Sequence, residues 1–134
     1  VLIQPEETVR RDVVELDLPM PVERVYANPM VRADSGRVAL RRGPLIYCVE
    51  QADNPGAAVE LLRLPREASL TVGDRPDLFG GIRIIAAEGT SAERSEALYA
   101  DAPPRAIPLS WTALPYFLWN NRETGPMTVW IPER

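Results

Sequence analysis

Residues 12–18 read DVVELDL, placing Val14, Leu16 and Leu18 on one side and Glu15 and Asp17 on the other. Strict alternation of this kind predicts a half-buried strand, because successive side chains of an extended chain point to opposite faces. Pro19-Met20-Pro21 breaks it, VERVYA (22–27) predicts a second strand, and Asn28-Pro29 ends that one. MVRAD (30–34) and VALRR (38–42) flank a turn signal at Ser35-Gly36, so 30–42 reads as a hairpin. Gly43-Pro44 then introduces LIYCVE (45–50), where Leu45, Tyr47 and Val49 share one face and Ile46 and Cys48 the other. Apolar residues on both faces predict a central strand covered on both sides.

The same pattern continues down the chain. Strands are expected at 59–64, 69–73, 82–89, 106–114 and 127–131, with a short edge strand at 97–101. Pro108 makes 106–114 edge-like or bulged, since proline cannot donate to the ladder. Residues 51–58, 74–81, 90–97 and 115–126 read as connections. No long segment of helical period competes, and 14 prolines oppose one. Roughly eight to ten short strands with turns between them predict an all-β fold, an antiparallel, jelly-roll-like β-sandwich. A chain of 134 residues suits one such domain.

Composition narrows the function. Net charge is −4, and all fifteen basic residues are arginine. Nucleic-acid binding needs a basic face, so no nucleic-acid partner is expected. No apolar run approaches the ~20 residues that span a bilayer, so no membrane partner is expected either. One cysteine excludes an internal disulfide and gives no sign of an oxidising compartment, which tilts the expected location to the cytoplasm. The chain has no histidine, so Ser-His-Asp and Cys-His catalysis and multi-ligand zinc sites cannot be built from these residues. The chain opens VLIQPEETVRR without an initiator methionine, and we expect a piece of a larger protein.

Candidate chemistry divides into four places. Cys48 could be a reactive thiolate only with a depressed pKa, and Arg41 and Arg42 lie several residues down an extended strand from it. A small buried hydrophobe is the expected role. Asp74 and Asp77 are a start on the six to eight oxygens that calcium takes, but a solvated turn explains them. Among nineteen acids, Glu15, Asp17 and Glu50 have no setting that marks a glycosidase pair, and solvated faces explain them. Trp111, Tyr116, Phe117, Trp119 and Trp130 crowd the last quarter of the chain. Trp111 and Trp130 lie in expected strands and read as core. Tyr116 and Trp119 lie in a loop beside Asn120, Asn121 and Arg122, where flat aromatic faces and polar neighbours would suit a glycan.

Beyond these local readings, the run from Asp12 to Glu50 resembles the C-terminal part of glycoside hydrolase family 127, the β-L-arabinofuranosidase-like family. The likeness rests on Asp12, Val14, Leu16 and Leu18-Pro19-Met20-Pro21-Val22, then on Gly36, Val38-Ala39-Leu40, Arg42-Gly43-Pro44-Leu45, Tyr47-Cys48 and Glu50. The far end, WTALPYFLWNNRETGPMTVWIP, is similar to the same family. Arg11 departs from it, standing where relatives often carry glycine. The resemblance implies a helical catalytic barrel N-terminal to this piece, holding a cysteine nucleophile and a zinc ion. It assigns no catalytic residue, cofactor or metal to this domain, because Cys48 lies in the C-terminal motif. It further implies that residues 1 to about 25 complete or join a preceding sandwich. The expectation is therefore a non-catalytic structural domain. Its partners would be the barrel of the same polypeptide and a second copy in a homodimer. The alternatives are a carbohydrate-binding module built on Tyr116, Trp119, Asn120, Asn121 and Arg122, and a catalytic domain in its own right.

Overall fold

A computed structural model describes residues 11–134. Nine strands run through them: β1 (Val22–Val25), β2 (Arg37–Arg42), β3 (Leu45–Glu50), β4 (Leu62–Arg63), β5 (Leu70–Arg75), β6 (Ile82–Ala92), β7 (Ala106–Pro115), β8 (Met127–Thr128) and β9 (Ile131–Pro132). Every pairing is antiparallel, along the path β1-β2-β3-β7-β6-β4, with β5 on β6, β8 on β3 and β9 on β2. The described residues contain no α-helix, only short 3-10 turns. This is the all-β antiparallel sandwich that the strand pattern predicts.

The β2–β3 hairpin organises it. Arg42 pairs with Leu45, leaving Gly43-Pro44 as a two-residue loop. Gly43 takes φ +53°, as the first central residue of such a hairpin turn requires. A Cβ there would also press on Met20 at 3.1 Å. Continued in register, the hairpin would set Val38 against Val49. Instead it splays, and the C-terminal segment enters the gap: Thr128 pairs with Val49 and Ile131 with Val38. The expected single strand at 127–131 is thus two short ones, because the segment must serve two diverging partners.

β3 is central, as expected. Tyr47 and Val49 join the main core with Val38, Leu40, Leu62, Ile85 and Trp111. Cys48 and Glu50, one residue out of phase, are buried against the other side. The long β6–β7 pair supplies most of the remaining core. Trp111 lies opposite Ala87, and its indole fills the space that Gly89 leaves open, since a Cβ on Gly89 would fall 2.3 Å from Nε1. Pro108 sits in the half of β7 bonded to β6 alone, and β3 joins β7 only at Leu114 and Pro115. That is how a proline fits a strand that becomes central further along.

Several expected elements are absent. Residues 12–18 form no strand; Val13, Val14, Leu16 and Leu18 are 67 to 92% exposed, and nothing among the described residues pairs with them. The expected junction of residues 1 to about 25 with a preceding sandwich lies, in its first ten residues, outside the described residues. Residues 30–34 are not the first arm of a hairpin. Asn28 accepts the Met30 N–H on its side chain, and Val31, Asp34 and Ser35 close successive tight turns, so the backbone is satisfied locally. Residues 59–61 make a 3-10 turn before the two-residue β4. Residues 97–101 are irregular, with Leu98 and Tyr99 projecting into solvent.

Candidate functional site

The segment after β7 carries the sequence candidates. Pro115 ends the strand, and Tyr116–Leu118 makes one 3-10 turn closed by the Trp119 N–H on the Tyr116 carbonyl, 3.0 Å. The turn sets Tyr116 and Trp119 side by side, with centroids 6.0 Å apart and planes 20° apart. They are 45% and 41% exposed. Asn120 follows in the left-handed region, φ +61°, where asparagine is tolerated better than most residues. That turn aims the Asn120 N–H at Glu50 Oε1, 3.0 Å. Asn121 Nδ2 donates to the Leu118 and Trp119 carbonyls, 2.9 and 3.2 Å.

Arg122 reaches under this loop. Its guanidinium bonds Glu50 Oε2 at 2.9 Å and both oxygens of Asp53 at 2.5 and 2.6 Å. Phe79, from the β5–β6 loop, lies 5.7 Å from the guanidinium carbon, within cation–π range. The Glu50 and Asp53 side chains are almost fully enclosed. Their two charges are acceptable there because one bidentate cation answers both. The hydrogen bonds it donates to Asp53, and then the one to Glu50, hold the Arg122 guanidinium above its usual value against the opposing effect of burial. Arg122 and Asn121 are thus committed to holding the loop shut. The structure brings Tyr116 and Trp119 together as an exposed pair, with the Asn120 side chain beside them at the surface.

Cys48 lies beneath the same cluster. Burial, and then the charges of Glu50 and Asp53, push its thiol up to about 12, with Arg122 opposing. It is a packed thiol at neutral pH. Zinc does not fit here, since a lone protonated thiol with no imidazole or second thiol cannot make a zinc site. Among the described residues no group of three or more potential ligands could hold a metal.

Two readings of individual residues need correction. Glu50 is not on a solvated face but buried, because the loop 70 residues later folds over it. Trp130 is not core. It sits half-buried at the bend between β8 and β9, bounding an open groove of about 610 Å³ with Tyr116, Ile46, Met127, Arg37 and Asp34. Trp111 is core as expected. Asp74 and Asp77 are exposed and answered by Arg83 and Arg75; the Arg75 hydrogen bond holds Asp77 down to about 2.

Residues 22–132 match the glycoside hydrolase family 127 C-terminal domain. The chain belongs to that family. It is 42% identical over 123 residues to the non-reducing end β-L-arabinofuranosidase of Bifidobacterium longum subsp. longum, covering 87% of this chain and 19% of that enzyme. The crystal structure of a family 127 β-L-arabinofuranosidase from Geobacillus stearothermophilus T6 superposes with a TM-score of 0.81 at 43% identity, over 87% of this chain and 19% of that one. A family 127 β-arabinofuranosidase gives 0.76 at 36% identity, over 86% and 17%. The family 127 chain thus spans about a fifth of these relatives, at their C-terminal end.

Proposed function

We propose that this chain is the non-catalytic, structural C-terminal domain of a β-L-arabinofuranosidase-like glycoside hydrolase. It buttresses the catalytic barrel that precedes it in the polypeptide and offers a surface for a second copy. The observation that carries this reading is the state of its acids. Glycoside hydrolysis in most families needs two carboxylates facing an open cleft. The two that this fold draws together, Glu50 and Asp53, are enclosed and clamped by Arg122. The lone thiol is protonated and buried. The test compares the full-length polypeptide with one truncated before residue 11, and assays the 134-residue chain alone on arabinofuranosides. The reading expects no turnover by the chain alone and a truncated enzyme that unfolds at lower temperature. Hydrolysis by the chain alone overturns it.

A second reading, a carbohydrate-binding module, has one specific support. The exposed Tyr116–Trp119 pair adjoins the groove bounded by Tyr116 and Trp130, where Arg37 and Asp34 offer polar groups beside aromatic faces. Tryptophan fluorescence during titration with arabinose-containing oligosaccharides tests it. Saturable quenching abolished by Trp119→Ala supports a module; no response at millimolar sugar rejects it.

A further inference from the structure

Arg42 is 6% exposed, yet no carboxylate among the described residues forms an ion pair with it. Among the described residues the enclosed acids are answered, Glu50 and Asp53 by Arg122 and Glu133 by Arg24 and Arg66, while half-buried Arg63, like Arg42, has no ion pair. Arg42 has only neutral partners. Its Nε donates to the Met20 carbonyl at 3.2 Å and its Nη1 to the Tyr47 hydroxyl at 3.1 Å, which in turn donates a hydrogen bond to the Arg83 carbonyl at 3.0 Å. Nη2 has no hydrogen-bond partner among the described residues and keeps contact with solvent, the one buried unpartnered side-chain nitrogen among them being Trp111 Nε1. Arginines are almost never buried unless paired, because removing the charge from water costs several kcal/mol, on the order of the whole stability of a small domain.

Arg42 also forms part of the wall of an open groove of about 430 Å³. The rest of that wall is mainly apolar, including Leu18, Met20, Leu45, Ile82 and Phe117, and it contains no acid. Two of these residues, Leu18 and Met20, belong to the segment whose apolar side chains stand exposed from Val13 onward. The relatives are about five times longer than this chain, so a large part of such a polypeptide lies beyond the residues seen here.

We infer that this groove is the seat of the preceding part of the same polypeptide, and that Arg42 receives an aspartate or glutamate carboxylate from it. The seat rests on the reading of the chain as a supporting domain. Its chemistry is specific: an apolar segment carrying one acid, entering beside Met20, with the carboxylate on Arg42 Nη2. Tyr47 and the Met20 carbonyl are then positioning partners that fix the guanidinium plane.

The test is the structure of the full-length polypeptide, followed by a double-mutant cycle. We expect an Asp or Glu oxygen of the preceding domain within hydrogen-bonding distance of Arg42. Neutralising that acid to its amide, combined with Arg42→Gln, should be non-additive, the pair being worth about tenfold or more in the unfolding equilibrium. Arg42→Lys should retain part of the coupling, and serves in the cycle where Arg42→Gln does not fold. A groove filled only by apolar side chains, a carboxylate from a second copy, or an additive cycle overturns the inference and leaves the supporting role standing. A groove facing solvent in the full-length structure, with no preceding domain against it, overturns both.

Discussion

Residues 12–18 and residues 45–50 carry the two most regular strand patterns in the first half of the chain, and they end in opposite places. LIYCVE is β3, hydrogen-bonded to β2, β7 and β8 and buried on both faces from Tyr47 to Glu50, with Ile46 left open on the groove beside Trp130. DVVELDL forms no strand, is unpaired among the described residues, and is exposed along its whole apolar side. Periodicity reports what a segment can bury. It does not report whether the covering surface lies on the same stretch of chain. For β3 the cover is the C-terminal loop, folded back by Asn120 and Arg122 onto Glu50. For 12–18 the cover we infer is the preceding part of a longer polypeptide.

The largest expected effect tests the covered segment. Leu114→Ala, opposite Cys48 on β7, should destabilise the chain by about 3 kcal/mol in urea denaturation, the usual cost of a core leucine. Leu16→Ala should stay within about 0.5 kcal/mol of the parent chain, since nothing is uncovered. Equal effects would erase the contrast.

Next comes the lock over β3. Arg122→Ala leaves Glu50 and Asp53 enclosed without their cation, and should cost about 3 kcal/mol, less if water enters the partly open site. Hydrogen exchange should then rise at 119–122 and at the end of β3 while β6 and β7 stay protected. Cys48→Ser should cost roughly 1 to 2 kcal/mol by burying a hydroxyl in place of a thiol, and leave turnover per folded molecule of the longer enzyme unchanged. Lost turnover in a folded Cys48→Ser enzyme would contradict the packing role.

The smallest effect concerns β1, the first strand of the sheet. Burial raises the Glu133 carboxyl, but hydrogen bonds from Tyr26, Arg66 and Arg24 outweigh it and hold the group below its usual value. A carboxyl depressed in the folded state contributes stability that is complete above the unfolded pKa of 4.5 and is lost as pH falls through the folded one. Acid denaturation should therefore loosen β1, which Arg24 ties to Glu133, and Glu133→Gln should remove that part of the acid dependence at a cost near neutrality of about 1 kcal/mol.

Much of the fold is legible in the sequence because β2, β3, β6 and β7 carry their own apolar periods and are cut by turn residues that act locally. Residues 28–35 mislead for the opposite reason: the Asn28 side chain takes the Met30 N–H, and successive backbone turns satisfy Val31, Asp34 and Ser35 before any strand can pair. The candidate site is legible only in part. Tyr116 and Trp119 announce themselves by type and spacing. The Glu50–Asp53–Arg122 lock joins positions about 70 residues apart, which no local pattern connects. One signal was available. Glu50 ends an otherwise apolar strand that is covered on both faces, and a charge in such a place needs a partner.

Hydrogen–deuterium exchange at residues 12–18, in the 134-residue chain and in the full-length polypeptide, tests the central claim most directly. We expect exchange at the unprotected rate in the chain alone and at least about a hundredfold slowing in the longer protein, where the segment gains its cover. Fast exchange in both would mean that these apolar residues are simply solvated, and that this domain does not lean on its neighbour through them.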